Sequence, residues 1–125
     1  IDERQPEAYF VLVSPLRYPA LDAENPASLS KAIQTDFLRG ELGYRGLIIT
    51  DDVEMGALAK HYSFRELGVK AVEAGSDIVL VSTLNRMDGV YLGLLDAVQD
   101  GTIPLERVNE SLRRIVKAKL VHAQS

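Results

Sequence analysis

Cysteine is absent from the sequence, so disulfides, thiolate metal sites and thiol nucleophiles are all excluded. A reducing compartment suits such a chain, and a cytoplasmic location is expected. Histidine is nearly absent too: His61 and His122 are too few for a histidine-rich metal site. No apolar run approaches the roughly 20 residues that span a bilayer, so no membrane partner is expected. The opening stretch IDERQPEAY has neither the basic region nor the apolar segment of a signal peptide. It also lacks an initiator Met, as a processed or truncated piece of a longer protein would. An excess of positive charge is missing as well: the formal net charge is -4, which argues against nucleic acid. The basic run LRRIVKAK reads as a solvated helix end, where the helix dipole favours cations.

What is present suits one globular domain over residues 1–125, because 46% of the residues are apolar and can fill a core. Three short apolar runs rich in β-branched residues predict strands: Tyr9 to Ser14, Leu47 to Thr50 and Ile78 to Ser82. Continuous runs of this kind are the pattern of parallel strands covered on both faces. Helical spacing fills the intervals. A first helix is predicted from near Ser28 to Gly40 or Gly43, carrying Leu29, Ile33, Phe37 and Leu38. A short helix is predicted over Val53 to Lys60. Another follows Ser63, where Ser63 and Glu66 form a capping-box pattern and Gly75 is the expected stop. Met87 to Val98 reads as helical with Gly101 beyond it. Pro104 opens a last helix whose stripe is Leu105, Val108, Leu112, Ile115 and Leu120. The strand starts lie about 30–40 residues apart, the size of a βαβ unit. The expected class is α/β, either an open doubly wound sheet or part of an eight-stranded barrel. A whole barrel takes about 250 residues, so this chain would hold less than half of one.

In both architectures ligands bind beyond the C-terminal ends of the strands. Those ends carry Ser14, Thr50-Asp51 and Ser82-Thr83, which either floor one pocket or are polar because loops meet water. Asp51 and Asp52 stand side by side behind LIIT. Asp52 suits the N-cap or first turn of the following helix, stabilised by free amides and the dipole. Asp51, nearer the strand, can project over the sheet edge. A metal is not expected there, because adjacent residues on an extended chain face opposite ways and no third ligand is evident.

RYPALDAENPASLSKAI (Arg17 to Ile33) and RGELGYRGLIITDDVEMGAL (Arg39 to Leu58) closely resemble glycoside hydrolase family 3. The likeness is to its bacterial β-N-acetylhexosaminidase branch, which works in peptidoglycan recycling. It continues through AVEAGSDIVLV (Ala71 to Val81) and IPLERVNESLRRIVKAK (Ile103 to Lys119). The resemblance implies the C-terminal portion of a (β/α)8 TIM-type barrel, strands six to eight with their helices. It makes Asp51 the catalytic nucleophile, which attacks the anomeric carbon and forms a covalent glycosyl-enzyme with retention of configuration. Arg17, Tyr18 and Met55 are the substrate-contact candidates, Arg17 and Tyr18 having a loop-stabilising role as the alternative.

A retaining glycosidase also needs an acid/base group. In this branch it resembles a His–Asp pair on a mobile loop upstream of the region represented here. Neither His61 nor His122 sits in such a motif, and Pro15 stands where relatives commonly carry a loop histidine. The expected substrate is carbohydrate, terminal β-linked N-acetylglucosamine on muropeptide-like fragments, with no cofactor. Two alternatives stand beside it: a non-catalytic half-barrel serving assembly, and a β-glucosidase-type member of the same family. Three strands taken from a closed barrel leave unpaired edges, so the missing N-terminal half-barrel or another copy of the chain is the expected partner.

Overall fold

A computed structural model describes residues 10–51, 62–82 and 84–124. Two parallel strands, β1 (Phe10–Val13) and β2 (Leu47–Thr50), pair in the register Phe10 to Leu47 through Val13 to Thr50. Parallel neighbours cannot be joined by a hairpin, and the connection between them carries the first helix. Registered residues share a face of the sheet. Val11, Val13 and Ile48 therefore point one way, where they pack with Leu38 and Tyr44. Phe10 and Leu12 point the other way and stay exposed, at 60% and 53%. The expectation of strands covered on both faces fails on that side.

The third predicted strand is also corrected. Of Ile78 to Ser82, one bridge forms, between Ile49 and Ile78. Ile78 donates to the Ile48 carbonyl at 3.3 Å, and Thr50 donates back to the Ile78 carbonyl at 3.0 Å. The next rung is diverted: the Leu80 amide donates to the Thr50 hydroxyl, Oγ1, at 2.9 Å instead of to a backbone carbonyl. A side-chain acceptor ends the ladder, although the alternation persists. Val79 and Val81 pack against the helices while Leu80 remains exposed.

The first predicted helix is divided. A single 3-10 turn spans Ala27–Leu29, Ser30 is extended, and a wide helix, α1, runs over Ala32–Glu41. Its last turn closes by an i to i+5 bond from the Leu42 amide to the Phe37 carbonyl at 2.9 Å. The predicted helix over Val53 to Lys60 lies outside the described residues. Helix α2 (Phe64–Ala74) starts as its sequence directs: the Ser63 side chain accepts from the Glu66 amide at 3.2 Å. It stops at Gly75, whose φ of 130° favours glycine. Helix α3 (Leu84–Gln99) crosses α2 closely, because a Cβ at Gly93 would fall 2.5 Å from the Arg65 carbonyl oxygen. Leu29, Leu67, Ala71 and Val90 form the core there, with Tyr62, Phe64 and Leu94 around them.

Helix α4 (Leu105–Gln124) docks unlike the amphipathic helix its leucines suggest. Leu105, Leu112 and Leu120 are exposed, whereas Arg107, Ser111 and Arg114 face inward around the carboxylate of Asp77. The Asp77 side chain is 0% exposed. One of its oxygens accepts from Arg39 at 2.7 Å and from the Ile48 amide at 3.1 Å. The other accepts from Arg114 at 2.8 Å and from the Ser111 hydroxyl at 2.6 Å. Arg107 donates to Ser111 Oγ at 2.6 Å and to the Ser76 carbonyl at 2.8 Å. Burial pulls the pKa of Arg39 and of Arg107 below the ordinary arginine value, and Asp77 opposes that shift in both. LRRIVKAK is thus not a wholly solvated end, since Arg114 is an inner residue with 22% of its side chain exposed.

Removing one member of a buried ion pair leaves its partners charged and unpaired, at about 3–5 kcal/mol. Asp77→Ala should therefore lower unfolding stability by that amount in urea titrations. Arg65–Asp96 is equally short at 2.7 Å but 53% and 59% exposed. Arg65→Ala should cost under about 1 kcal/mol. Equal costs for the two variants would refute the central role given to Asp77.

Candidate active site

Asp51 follows the last residue of β2, and its amide donates to the Val13 carbonyl at 2.8 Å, so pairing with the first strand continues through it. That register sets Asp51 beside Ser14. Period-two alternation along Leu47, Ile49 and Asp51 directs its half-buried side chain to the face that also carries Phe10 and Leu12. Thr50 points the opposite way. It is fully buried and its hydroxyl is held by Leu80, which makes it a structural residue. Ser14 Oγ accepts from the Leu16 amide at 3.2 Å, and its carbonyl accepts from the Ser28 amide at 3.0 Å. Ser82 is exposed on the connection to α3. Asp52, Met55, His61 and Thr83 lie outside the described residues, as does the side chain of His122.

The loop between β1 and the 3-10 turn forms the rim beside Asp51. Arg17 Nη1 donates to the Glu24 carbonyl at 2.9 Å, which spans the loop. Tyr18 is exposed, and its carbonyl accepts from the Leu21 and Asp22 amides at 2.9 Å each. The pivot of the loop is a residue to which the sequence assigned no role. Asp22 accepts from the Glu24 and Asn25 amides at 2.9 and 3.0 Å and from the Ser30 hydroxyl at 2.6 Å. The local signal was a short acidic side chain two and three residues ahead of free amides, the Asx-turn arrangement. Among the described residues no group of three or more His, Cys, Asp and Glu could hold a metal ion.

The Ser30 hydroxyl first, then the Asn25 and Glu24 amides, hold the Asp22 carboxyl at about 2, below its ordinary 3.8. A carboxylate with a depressed folded pKa contributes stability above its ordinary value and loses it as pH falls through the folded one. The loop bonds should thus persist well below pH 3.8 and fail near pH 2. Amide chemical shifts of Glu24 and Asn25 should titrate with a midpoint near 2. A midpoint at the ordinary value would remove Asp22 from its place as pivot.

The chain matches the Glycosyl hydrolase family 3 N terminal domain over residues 5–118. An uncharacterized secreted glycosyl hydrolase from Arthroderma benhamiae is 42% identical over 100 residues, 78% of this chain and 28% of that protein. Beta-hexosaminidase LpqI from Mycobacterium tuberculosis is 32% identical over 115 residues, 87% of this chain and 29% of that protein. The solved family 3 beta-N-acetylglucosaminidase from Paenibacillus superposes with a TM-score of 0.88 at 40% identity, over 91% of this chain and 22% of that one. The chain thus spans less than a third of these relatives' length. With residues 5–118 of the chain matched to the family model, the chain belongs to glycosyl hydrolase family 3.

Proposed function

We propose that this chain is the strand-six-to-eight portion of the TIM-type barrel of a retaining β-N-acetylglucosaminidase, with Asp51 as its nucleophile. The observation that carries the reading is the position of Asp51, at the C-terminal end of β2 on the sheet face left uncovered here. In a closed barrel that face is the interior and its C-terminal rim is the active site. Asp51 attacks the anomeric carbon, the glycosidic bond breaks as the leaving oxygen gains a proton, and water later releases the sugar from the aspartyl ester. The acid/base group comes from elsewhere in the complete enzyme. The substrate is a terminal β-linked N-acetylglucosamine on a peptidoglycan fragment. Relatives named as hexosaminidases and N-acetylglucosaminidases support the sugar.

Two exposed apolar surfaces support incompleteness. Phe10 and Leu12 lie bare on the sheet with Leu80 bare on the segment beside it, and Leu105, Leu112, Val116 and Leu120 are bare on α4. Parallel sheets are stable when both faces are covered, and the rest of the barrel supplies that cover.

In the complete protein, Asp51→Ala should abolish hydrolysis of p-nitrophenyl N-acetylglucosaminide. Asp52→Ala, one residue further on, should retain hydrolysis. Full turnover by the Asp51→Ala protein would sink the mechanism. General acid–base assistance contributes about 10²–10⁴-fold, so the purified 125-residue chain should be silent and regain hydrolysis when the missing half is added. Turnover by the chain alone would contradict the split of catalytic groups.

A further inference from the structure

Strand β2 has a second end, opposite Asp51, where Tyr44, Arg45 and Gly46 lead into it. A cleft of about 410 Å3 opens there, and five cations, Arg39, Arg45, Arg113, Arg114 and Lys117, line it with one carboxylate, Glu110. That excess lies in a chain whose net charge is -4. The five are not equivalent. Arg39 and Arg114 are committed to Asp77 at 2.7 and 2.8 Å, and Arg114 lies 3.8 Å from Glu110. Arg45, Arg113 and Lys117 are exposed, and among the described residues no carboxylate pairs with them. In the wall of the cleft, Arg39 Nε is buried without a hydrogen-bond partner.

These three free charges arrive from two elements that the core fixes. Arg113 and Lys117 lie one turn apart on α4, on the same side as Glu110. Arg45 is held on a short loop whose neighbours are tied down: Arg39 Nη1 donates to the Gly46 carbonyl at 3.0 Å, and the Tyr44 hydroxyl donates to the Leu47 carbonyl at 2.8 Å. Converging like charges repel, and a multivalent anion converts that repulsion into attraction without reorganising the site. Guanidinium forks match phosphate oxygens in geometry as well as charge. The volume falls within the range of small-molecule sites.

We propose that this cleft binds a soluble small molecule carrying two or more phosphate groups, at the end of the sheet away from Asp51 and independently of the glycosidase reading. Calorimetric titration of the purified protein at low ionic strength, with inorganic pyrophosphate and with orthophosphate, tests it. Pyrophosphate should bind more tightly than orthophosphate, and added salt should weaken both. Arg45→Gln, Arg113→Gln and Lys117→Gln should each weaken pyrophosphate binding, and together by about ten-fold or more. Lys117→Arg should retain binding, and Lys119→Gln, outside the cleft, should leave it unchanged. Circular dichroism of each single variant separates lost binding from lost folding. No heat with pyrophosphate, or equal affinity for folded single variants and the native protein, would overturn the proposal. So would capture by anionic phospholipid vesicles in preference to pyrophosphate, which would reassign the cleft to a lipid headgroup.

Discussion

The N-terminal end of the sheet depends on a single carboxylate that has left water. Burying an ionised carboxylate costs several kcal/mol even after relaxation, and the interior must return that cost through geometry. Asp77 receives four hydrogen bonds, two on each oxygen, from two guanidiniums, a hydroxyl and a backbone amide. This fills the acceptor capacity of the group. The donors belong to α1, β2 and α4, so the bonds that solvate the charge also fix three elements relative to one another. Arg107 extends the network through Ser111 and the Ser76 carbonyl, and Gln34 joins it from α1 by accepting from the Ser76 hydroxyl at 2.6 Å.

This arrangement explains why α4 holds on by its polar side. Arg107, Ser111 and Arg114 recur at helical spacing and turn toward Asp77, and the leucines one step round the helix are left outside. The sheet has the same division. One face is closed by Leu38 and Tyr44, and the other presents Phe10 and Leu12 to solvent with Asp51 at its rim. Within the sheet, the exposed apolar residues and the strand-end carboxylate therefore share one face. The Asp77 network and the cationic cleft occupy the opposite end of β2.

How much of this was legible varies with how local each cause is. LIIT was read to the residue, since β-branched residues in a short run leave few other structures. The start of α2 at Ser63 and its stop at Gly75 were equally legible, because a cap and a positive φ are written within four residues of the boundary. The third strand was misread because its run is as apolar as the others. What ended it was a hydroxyl on a different segment, Thr50 Oγ1, for which IVLVS carries no sign. Asp77 was missed for the same reason. Its partners Arg39 and Arg114 lie 38 and 37 positions away, so nothing beside it in sequence distinguishes it from a loop aspartate. The position of Asp51 at a strand end followed from pattern, but its chemistry came from the family resemblance.

Those separations have a kinetic meaning. Asp77 stands nearly midway between its two guanidinium partners along the chain, and the hub assembles only when both flanking spans have folded back on it. Each span pays a loop-closure entropy that grows slowly with length, about 0.6 kcal/mol per doubling. Neither span alone neutralises the buried charge as fully as both together. The carboxylate therefore tends to stay hydrated until α1 and α4 have both approached, while the contact between α2 and α3, neighbours in sequence, can form early. The last step of folding at this end would then be expulsion of water from around one aspartate, late, long-range and sensitive to salt.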